Sequence, residues 1–212
     1  IASPGSAELL PLVIEDALKV GFTRDARLIE QLLAVLRQRT VVLPFGQWYD
    51  IHARRPCDTP EHCAGAAIRL QRAGHILGSA YVECDVPAES PHPTRQRIVF
   101  SGDLGAPNTP LLPAPQPPER ADVLVLESTY GDRRHEDRAG RAQRLRRVIE
   151  HALRDGGTVL IPAFSVGRTQ ELLYELEGIF HTLTGAQGTD TPGSTAHTPA
   201  GATAPPSRRT PW

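Results

Sequence analysis

The chain has 212 residues, of which 40% are hydrophobic and 22% are charged, and its formal net charge is -1. This length suits about one domain or one and a half. The balanced charge is unlike that of a wholly basic nucleic-acid-binding domain, although a local groove on a neutral protein can be basic. The apolar stretches are too short to cross a membrane, which excludes a membrane-embedded protein.

The first half of the chain predicts two helices followed by strands. Apolar residues at helical spacing predict helices over residues 6–20 and 23–39, and Thr23 can cap the second one. A polar loop is expected over residues 57–65. Strands are predicted where β-branched or alternating apolar residues are bounded by Gly, Pro or Ser, over residues 40–43, 46–51, 66–71, 80–86 and 97–101.

The second half predicts further strands and helices, separated by loops. Proline-rich loops are expected at residues 87–94 and 106–118. Because strands and helices then alternate, we expect a layered α/β architecture. The tail from 185 to 212 has no apolar periodicity and is predicted to be disordered. The remaining elements are a buried strand at 122–127, a helix at 138–153 ended by Gly156 and Gly157, a buried strand at 158–162 and a helix at 166–179.

Three successive strands end or turn at a residue that could bind a metal or carry a proton, namely His75, Asp103 and Glu127. Each alone fits an ordinary explanation: a hairpin histidine, an Asx turn and a helix cap. In layered α/β folds, however, strand ends gather at one edge and build the site there. Since zinc takes imidazole nitrogen and carboxylate oxygen, the combination indicates a metal-assisted hydrolase.

Four segments in this order resemble the β-CASP branch of the metallo-β-lactamase superfamily, a branch of RNA-processing and RNA-degrading enzymes. The resemblance covers roughly residues 1–182. The segments are Ala73-Gly-His-Ile-Leu-Gly-Ser-Ala80, Phe100-Ser-Gly-Asp-Leu-Gly105, Glu127-Ser-Thr-Tyr-Gly131 and Ile161-Pro-Ala-Phe-Ser-Val-Gly-Arg-Thr-Gln-Glu-Leu172.

The resemblance implies a role for each motif. His75 would be a metal ligand, and Asp103 would bridge two zinc ions at the catalytic centre. Glu127 would be a catalytic-site acid that orients a downstream histidine through a hydrogen bond. Ser165 and Arg168, at the start of the last helix, would bind an RNA phosphate. Pairing of Arg168 with Glu171 or another neighbouring acid is an equally good explanation of that arginine.

The resemblance also implies a division of the chain. Residues 1–131 would be part of an αββα metallo-β-lactamase sandwich, 132–184 the start of a β-CASP cap, and 185–212 the tail. The family's His-x-His-x-Asp-His motif and its later histidine motifs do not occur in this sequence. We therefore expect two zinc ions only in a complete enzyme, an incomplete site here, and missing strands beside residues 66–86. Ile1 and the lack of methionine likewise predict a fragment or a processed start.

The implied activity is zinc-dependent phosphodiester hydrolysis of single-stranded RNA by a parent protein that could form homodimers. Three alternatives stay open. The parent could cleave DNA instead, or it could hydrolyse a small ester. The chain itself could be a non-catalytic remnant that binds nucleic acid weakly.

Two smaller features have competing interpretations. Three cysteines are an odd number, which argues against a disulfide framework and favours the cytoplasm; a metal clip at Cys57, His62 and Cys63 is the alternative. A basic helix could face RNA or simply be solvated, and the solvated face is the preferred interpretation. Its arginines are Arg133, Arg134, Arg138, Arg141, Arg144, Arg146 and Arg147.

Overall fold

The structure is a computed structural model that describes residues 1–88, 95–133 and 140–185. In these ranges two helices come first, a six-stranded sheet follows, and two helices come last. The helices are α1 (Pro4–Gly21), α2 (Ala26–Arg39), α3 (Arg141–Asp155) and α4 (Arg168–Gly185). The strands are β1 (Trp48–Asp50), β2 (Arg55–Cys57), β3 (Ala67–Arg72), β4 (Ala80–Pro87), β5 (Arg95–Phe100) and β6 (Val123–Val125). The predicted α/β class is confirmed, but the elements are grouped along the chain rather than alternating.

The sheet has the order β2-β1-β3-β4-β5-β6. All neighbours are antiparallel except β5 and β6, which run parallel. Strands β3, β5 and β6 therefore point the same way, and their carboxyl ends lie at one edge. Strands β3 and β4 each have a neighbour on both sides, so the expectation that flanking strands are missing beside residues 66–86 was wrong.

The first two helices are capped by polar side chains at their amino ends. The hydroxyl of Ser3 accepts the N–H of Ser6 at the start of α1. In α2 the capping residue is Asp25, whose carboxylate accepts the N–H groups of Arg27 and Leu28 at 2.9 and 3.3 Å. The prediction of Thr23 as the cap was wrong, because Asp25 holds the extended backbone conformation of an N-cap.

The two faces of the sheet differ in chemistry because successive side chains alternate. On one face, Leu43, Tyr49 and Leu70 form an apolar cluster. On the other face, buried charges are paired: Glu83 with Arg69, and Asp85 with Arg95 and Arg97. The guanidinium groups of Arg69 and Arg97 lie 4.6 and 5.0 Å from the centre of the Trp48 ring. This pairing offsets the high cost of burying single charges.

The chain between the helices and β3 differs from the prediction in three places. Residues 40–43 form only an isolated bridge, between Ala2 and Val42, rather than a strand. The expected loop at 57–65 contains the end of β2 and a short 3₁₀ helix, Pro60–His62. Cys57 and Cys63 form a disulfide that spans this helix, so the argument from an odd cysteine number was wrong. An odd total number of cysteines is compatible with one disulfide and one free cysteine, which here is Cys84.

The strands predicted as buried in the second half are exposed. Strand β6 is an edge strand, and its residues Val123, Leu124 and Val125 are 41%, 52% and 49% exposed. The segment 158–162 has no strand pairing, and Leu160 is 88% exposed. Their apolar sequences predict burial, but no described element covers them.

Several predictions fall partly or wholly outside the described residues. Helix α3 ends at Asp155 and is capped by Gly156, which has the left-handed conformation expected of a C-terminal glycine, but the predicted start at 138 is not covered. Most of the predicted loop at 87–94 and most of the predicted tail at 185–212 also lie outside the described residues. The domain boundaries at 131 and 184 stay predictions. No helix in the described ranges is long and apolar enough to cross a membrane.

Candidate active site at the strand ends

The carboxyl ends of β3, β5 and β6 surround a cavity of about 620 Å³. Its lining includes His75 from the turn after β3, Asp103 from the turn after β5, and Glu127 from the segment after β6. Arg168, the first residue of α4, also lines it. The structure thus brings together four of the predicted site residues, as expected if strand ends gather at one edge. Their chemical roles stay predictions.

The turn that carries His75 is held by three serine hydroxyls. Within the turn, the Ser79 hydroxyl accepts the N–H groups of His75 and Ile76 at 2.9 and 3.2 Å. From α1, the hydroxyls of Ser3 and Ser6 both donate to the carbonyl of Gly78, at 2.5 and 3.0 Å. The position of His75 therefore depends on a helix that lies far away in sequence.

The turn that carries Asp103 lies directly against the histidine turn. The N–H of Gly105 donates to the carbonyl of Ala73 at 2.8 Å. A Cβ atom at Gly105 would overlap the carbonyl of Gly74, so only glycine allows this close approach. The backbone contact fixes the two turns to each other and brings His75 and Asp103 to the same cavity.

Glu127 joins the ends of β5 and β6. Its carboxylate accepts the N–H of Leu104, the residue after Asp103, at 2.6 Å. Its own N–H donates to the buried hydroxyl of Ser101 at 2.9 Å. The Leu104 N–H, followed by the hydroxyl of Thr129, holds the pKa of Glu127 below its usual range. Hydrogen bonds to the ionised form stabilise it, so the carboxylate is charged near neutral pH.

The fourth motif contributes one wall of the cavity. Arg168 donates to the carboxylate of Glu171 at 2.7 Å, so the pairing considered from the sequence is present, although both residues line the cavity. A Cβ atom at Gly167 would lie 2.7 Å from a methyl group of Ile76, which packs this segment against the histidine turn. Ser165 is exposed and lies outside the cavity lining.

The residues described do not form a complete metal site. The side chains of His75 and Asp103 are of the kinds that bind zinc, but catalytic zinc generally has three protein ligands. In residues 1–88, 95–133 and 140–185, no group of three or more His, Cys, Asp or Glu side chains is arranged to hold a metal ion. Zinc therefore does not fit these residues by themselves.

The two smaller features have simple structural explanations. The disulfide between Cys57 and Cys63 leaves neither sulfur as a free thiolate for a metal clip with His62. On the basic helix face, Arg141 pairs with Glu175 at 3.2 Å and Arg146 with Glu150 at 2.7 Å. Arg134 and Arg138 lie outside the described residues. The Arg146 pair lies within α3 and agrees with a solvated helix face, whereas the Arg141 pair joins α3 to α4.

Sequence reasoning missed several residues that support the site. Ser101 stands inside a quoted motif, but nothing in the motif indicates that its buried hydroxyl accepts the N–H of Glu127. Ser79 is similar, because its hydrogen bonds within the turn depend on the turn geometry. Ser3 has no local signal beyond helix capping, since its partner Gly78 lies 75 residues away.

Comparison with known proteins identifies relatives that match from about half of this chain to 86% of it. Ribonuclease TTHA0252 of Thermus thermophilus is 33% identical over 186 residues, which cover 86% of this chain and 37% of the relative. Endoribonuclease YSH1 of Mycosarcoma maydis is 38% identical over 114 residues, or 53% of this chain and 12% of the relative. Cleavage and polyadenylation specificity factor 73 of Drosophila melanogaster is 37% identical over 106 residues, which cover 50% of this chain and 14% of the relative.

No protein-family profile matches the sequence. The chain spans little more than a third of the Thermus relative and about an eighth of the two eukaryotic ones. These homologues are members of the β-CASP branch of the metallo-β-lactamase superfamily, of whose fold this chain covers a part, and the resemblance predicted from its motifs is confirmed.

Proposed function

We propose that the protein containing this chain is a ribonuclease that hydrolyses phosphodiester bonds in single-stranded RNA. The observation that carries the proposal is the shared cavity of about 620 Å³ lined by His75, Asp103, Glu127 and Arg168. The relatives support the reaction class, because the names of all three include a ribonuclease activity or an RNA-processing role.

The residues of the cavity have complementary chemical capacities. Arg168 is 57% exposed at its side chain, and its guanidinium can hold two phosphate oxygens through parallel hydrogen bonds. Glu171 keeps this guanidinium directed along the cavity wall until a phosphate competes for it. Asp103 and His75 bring a carboxylate and an imidazole to the same cavity, where the scissile bond would lie. Ser165 would contact the RNA backbone outside the cavity.

In this proposal, the described residues form only part of the zinc site. His75 and Asp103 would each supply a ligand, and the remaining ligands would come from outside the described residues. Zinc held there in the longer protein would supply a Lewis acid that activates water near neutral pH and offsets charge on the phosphate. The catalytic part of the proposal therefore concerns the longer protein, as does a histidine that would protonate the leaving oxygen.

The test compares substrates and variants. The 212-residue chain and the longest natural protein containing it are incubated with zinc and one fluorescent sequence, as single-stranded RNA, duplex RNA and single-stranded DNA. We expect the longer protein to cleave single-stranded RNA, and Asp103→Asn to lower the rate by at least about 100-fold. Glu15→Gln changes an exposed ion pair on α1 and is the matched control.

Each alternative has its own result in this assay. Equal cleavage of DNA would support the DNA nuclease. Hydrolysis of a small ester such as p-nitrophenyl acetate, without RNA cleavage, would support the esterase. RNA binding by the 212-residue chain without cleavage under any condition would support the non-catalytic remnant. Cleavage that survives Asp103→Asn would contradict the role given to this cavity.

Two further parts of the proposal are a homodimer, which rests on the resemblance alone, and a cytoplasmic location, which rests on the odd number of cysteines. Sedimentation velocity at several protein concentrations tests the first. A single species with the mass of one chain, across micromolar concentrations, would contradict it. Localisation of the tagged full protein tests the second.

A further inference from the structure

We propose that Glu127 is a positioning residue, whose carboxylate fixes the turn that presents Asp103 to the cavity. The inference rests on the proposed function, because it takes Asp103 as a residue of the reaction site. It differs from the role that the resemblance implies, in which Glu127 orients a histidine farther along the chain.

The first support is the direction of the hydrogen bonds. The Glu127 carboxylate accepts the N–H of Leu104 at 2.6 Å, a short hydrogen bond to a charged acceptor. Leu104 directly follows Asp103, so this bond constrains the peptide plane next to the Asp103 backbone. Thr129 adds its hydroxyl and N–H to the same carboxylate. The contacts of Glu127 therefore hold its carboxylate against this turn at the edge of the cavity.

The second support is that the bond closes a ring of contacts between β5 and β6. The N–H of Ser101 donates to the carbonyl of Val125 at 2.9 Å, which extends the parallel pairing beyond the strands. The Ser101 hydroxyl then accepts the N–H of Glu127 at 2.9 Å and donates to the carbonyl of Gly102 at 2.8 Å. Asp103 lies between the two points, Gly102 and Leu104, at which this ring holds its turn.

The third support is that the other side of the turn has its own anchor. Gly105 donates to the carbonyl of Ala73, in the segment that carries His75. Backbone contacts thus define the turn from Gly102 to Gly105, and Glu127 supplies the only side-chain contact to the Leu104 N–H among the described residues. Removing this acceptor would free Leu104 while the rest of the ring keeps the fold.

Substitutions can separate the effect of the negative charge of Glu127 from the effect of its hydrogen-bond-accepting oxygen. The side-chain oxygen of glutamine can still accept the Leu104 N–H, whereas alanine cannot. A positioning residue therefore tolerates Glu127→Gln better than Glu127→Ala. A residue that needs its negative charge for the reaction fails in both variants.

The experiment measures hydrogen exchange of the Leu104 amide by NMR in the ¹⁵N-labelled 212-residue chain near neutral pH. In Glu127→Ala we expect exchange about tenfold faster at Leu104, the factor expected for one lost hydrogen bond, with no change at Val99 in the sheet. Glu127→Gln should stay close to the wild type. Glu171→Ala removes another acid from the same cavity and should leave Leu104 unchanged.

Unchanged exchange at Leu104 in Glu127→Ala would overturn the inference. If Glu127→Ala does not fold, the amide proton of Leu104 is compared between wild type and Glu127→Gln. A weaker, uncharged acceptor should move this resonance upfield, and identical shifts would show that the Leu104 N–H does not bind Glu127.

RNA cleavage by the longer protein gives the functional measurement. We expect Glu127→Gln to retain most of kcat and Glu127→Ala to lower kcat about tenfold or more, with a smaller change in KM. Equal loss in both variants would overturn the positioning role. Faster Leu104 exchange in Glu127→Ala, without RNA cleavage by any protein, would support the contact and contradict the proposed function instead.

Discussion

The hydroxyl of Ser3 donates to the carbonyl of Gly78 at 2.5 Å and so joins the start of α1 to the turn that carries His75. The same hydroxyl accepts the N–H of Ser6 and caps the helix. Ser3 is only 2% exposed, so water cannot replace either bond easily. One buried side chain thus contributes to helix stability and to site geometry.

Replacing Ser3 with alanine should lower the free energy of unfolding by about 2 kcal/mol, because it removes both an N-cap and a buried hydrogen bond. Urea denaturation of the two proteins measures the difference. Ser6→Ala is the matched control, since the Ser6 hydroxyl also donates to Gly78 but caps no helix. It should cost about half as much. Equal losses in the two variants would contradict the double role of Ser3.

Replacing Gly105 with alanine should separate the two turns of the site. Its Cβ atom would overlap the carbonyl of Gly74, and such overpacking costs about 1–3 kcal/mol. Gly178→Ala provides the opposite control, because nothing lies within 4 Å of a Cβ atom there. Inside α4, alanine should stabilise by up to about 1 kcal/mol. Thermal unfolding of both variants tests the pair, and a Gly105→Ala protein as stable as wild type would show that the turns are not in contact.

The sequence predicted those elements whose residues carry a periodic signal over their own length. Apolar spacing located α1, and alternation located β3 to β5 to within two residues. The motifs correctly indicated that His75, Asp103 and Glu127 follow strands. Their convergence could be expected because parallel strands end at one edge, and this edge lines the cavity.

The rest depends on partners that no local pattern specifies. Strand β2 has three residues, too few for a periodic signal, and its pairing with β1 lies beside a disulfide. The apolar run at 158–162 predicts a buried strand, but burial needs a covering element, and Leu160 has none among the described residues. The bond from Ser3 to Gly78 crosses 75 residues, and therefore only the folded chain reveals it.

The attachment of β6 should depend on pH through Asp122. Its carboxylate accepts hydrogen bonds from Arg120 and from the N–H of Arg97, both at 2.6 Å, and these hold its pKa below the ordinary value of 3.8. Because the folded pKa is the lower one, the stabilisation is present above 3.8 and is lost as the pH falls through the folded value.

Unfolding curves from neutral pH to about pH 2.5 test this dependence. The variant Asp122→Asn should be less stable than wild type near neutral pH, and the difference should shrink as the wild-type carboxylate becomes protonated. Asp132→Asn alters an exposed pair with Arg133 and serves as the control. A constant difference between Asp122→Asn and wild type over the whole range would mean that the charge of Asp122 does not stabilise the strand.

Zinc content tests how much of the metal centre the chain can form alone. Two potential ligands, His75 and Asp103, line the cavity, and no group of three metal-binding side chains occurs among the described residues. Two ligands do not hold catalytic zinc tightly. After purification and dialysis, elemental analysis should therefore find well below about one zinc per chain, and the same amount in a His75→Ala/Asp103→Ala variant.

Two results would change this conclusion in different ways. Nearly two zinc per chain, lost in the double variant, would mean that further ligands complete the centre within the 212 residues, and cleavage assays on the chain alone would follow. Zinc that survives the double variant but is lost in Cys57→Ser/Cys63→Ser would instead locate the metal beside His62. That result would also require the two sulfurs to be reduced thiolates when zinc is bound, in place of the disulfide between them.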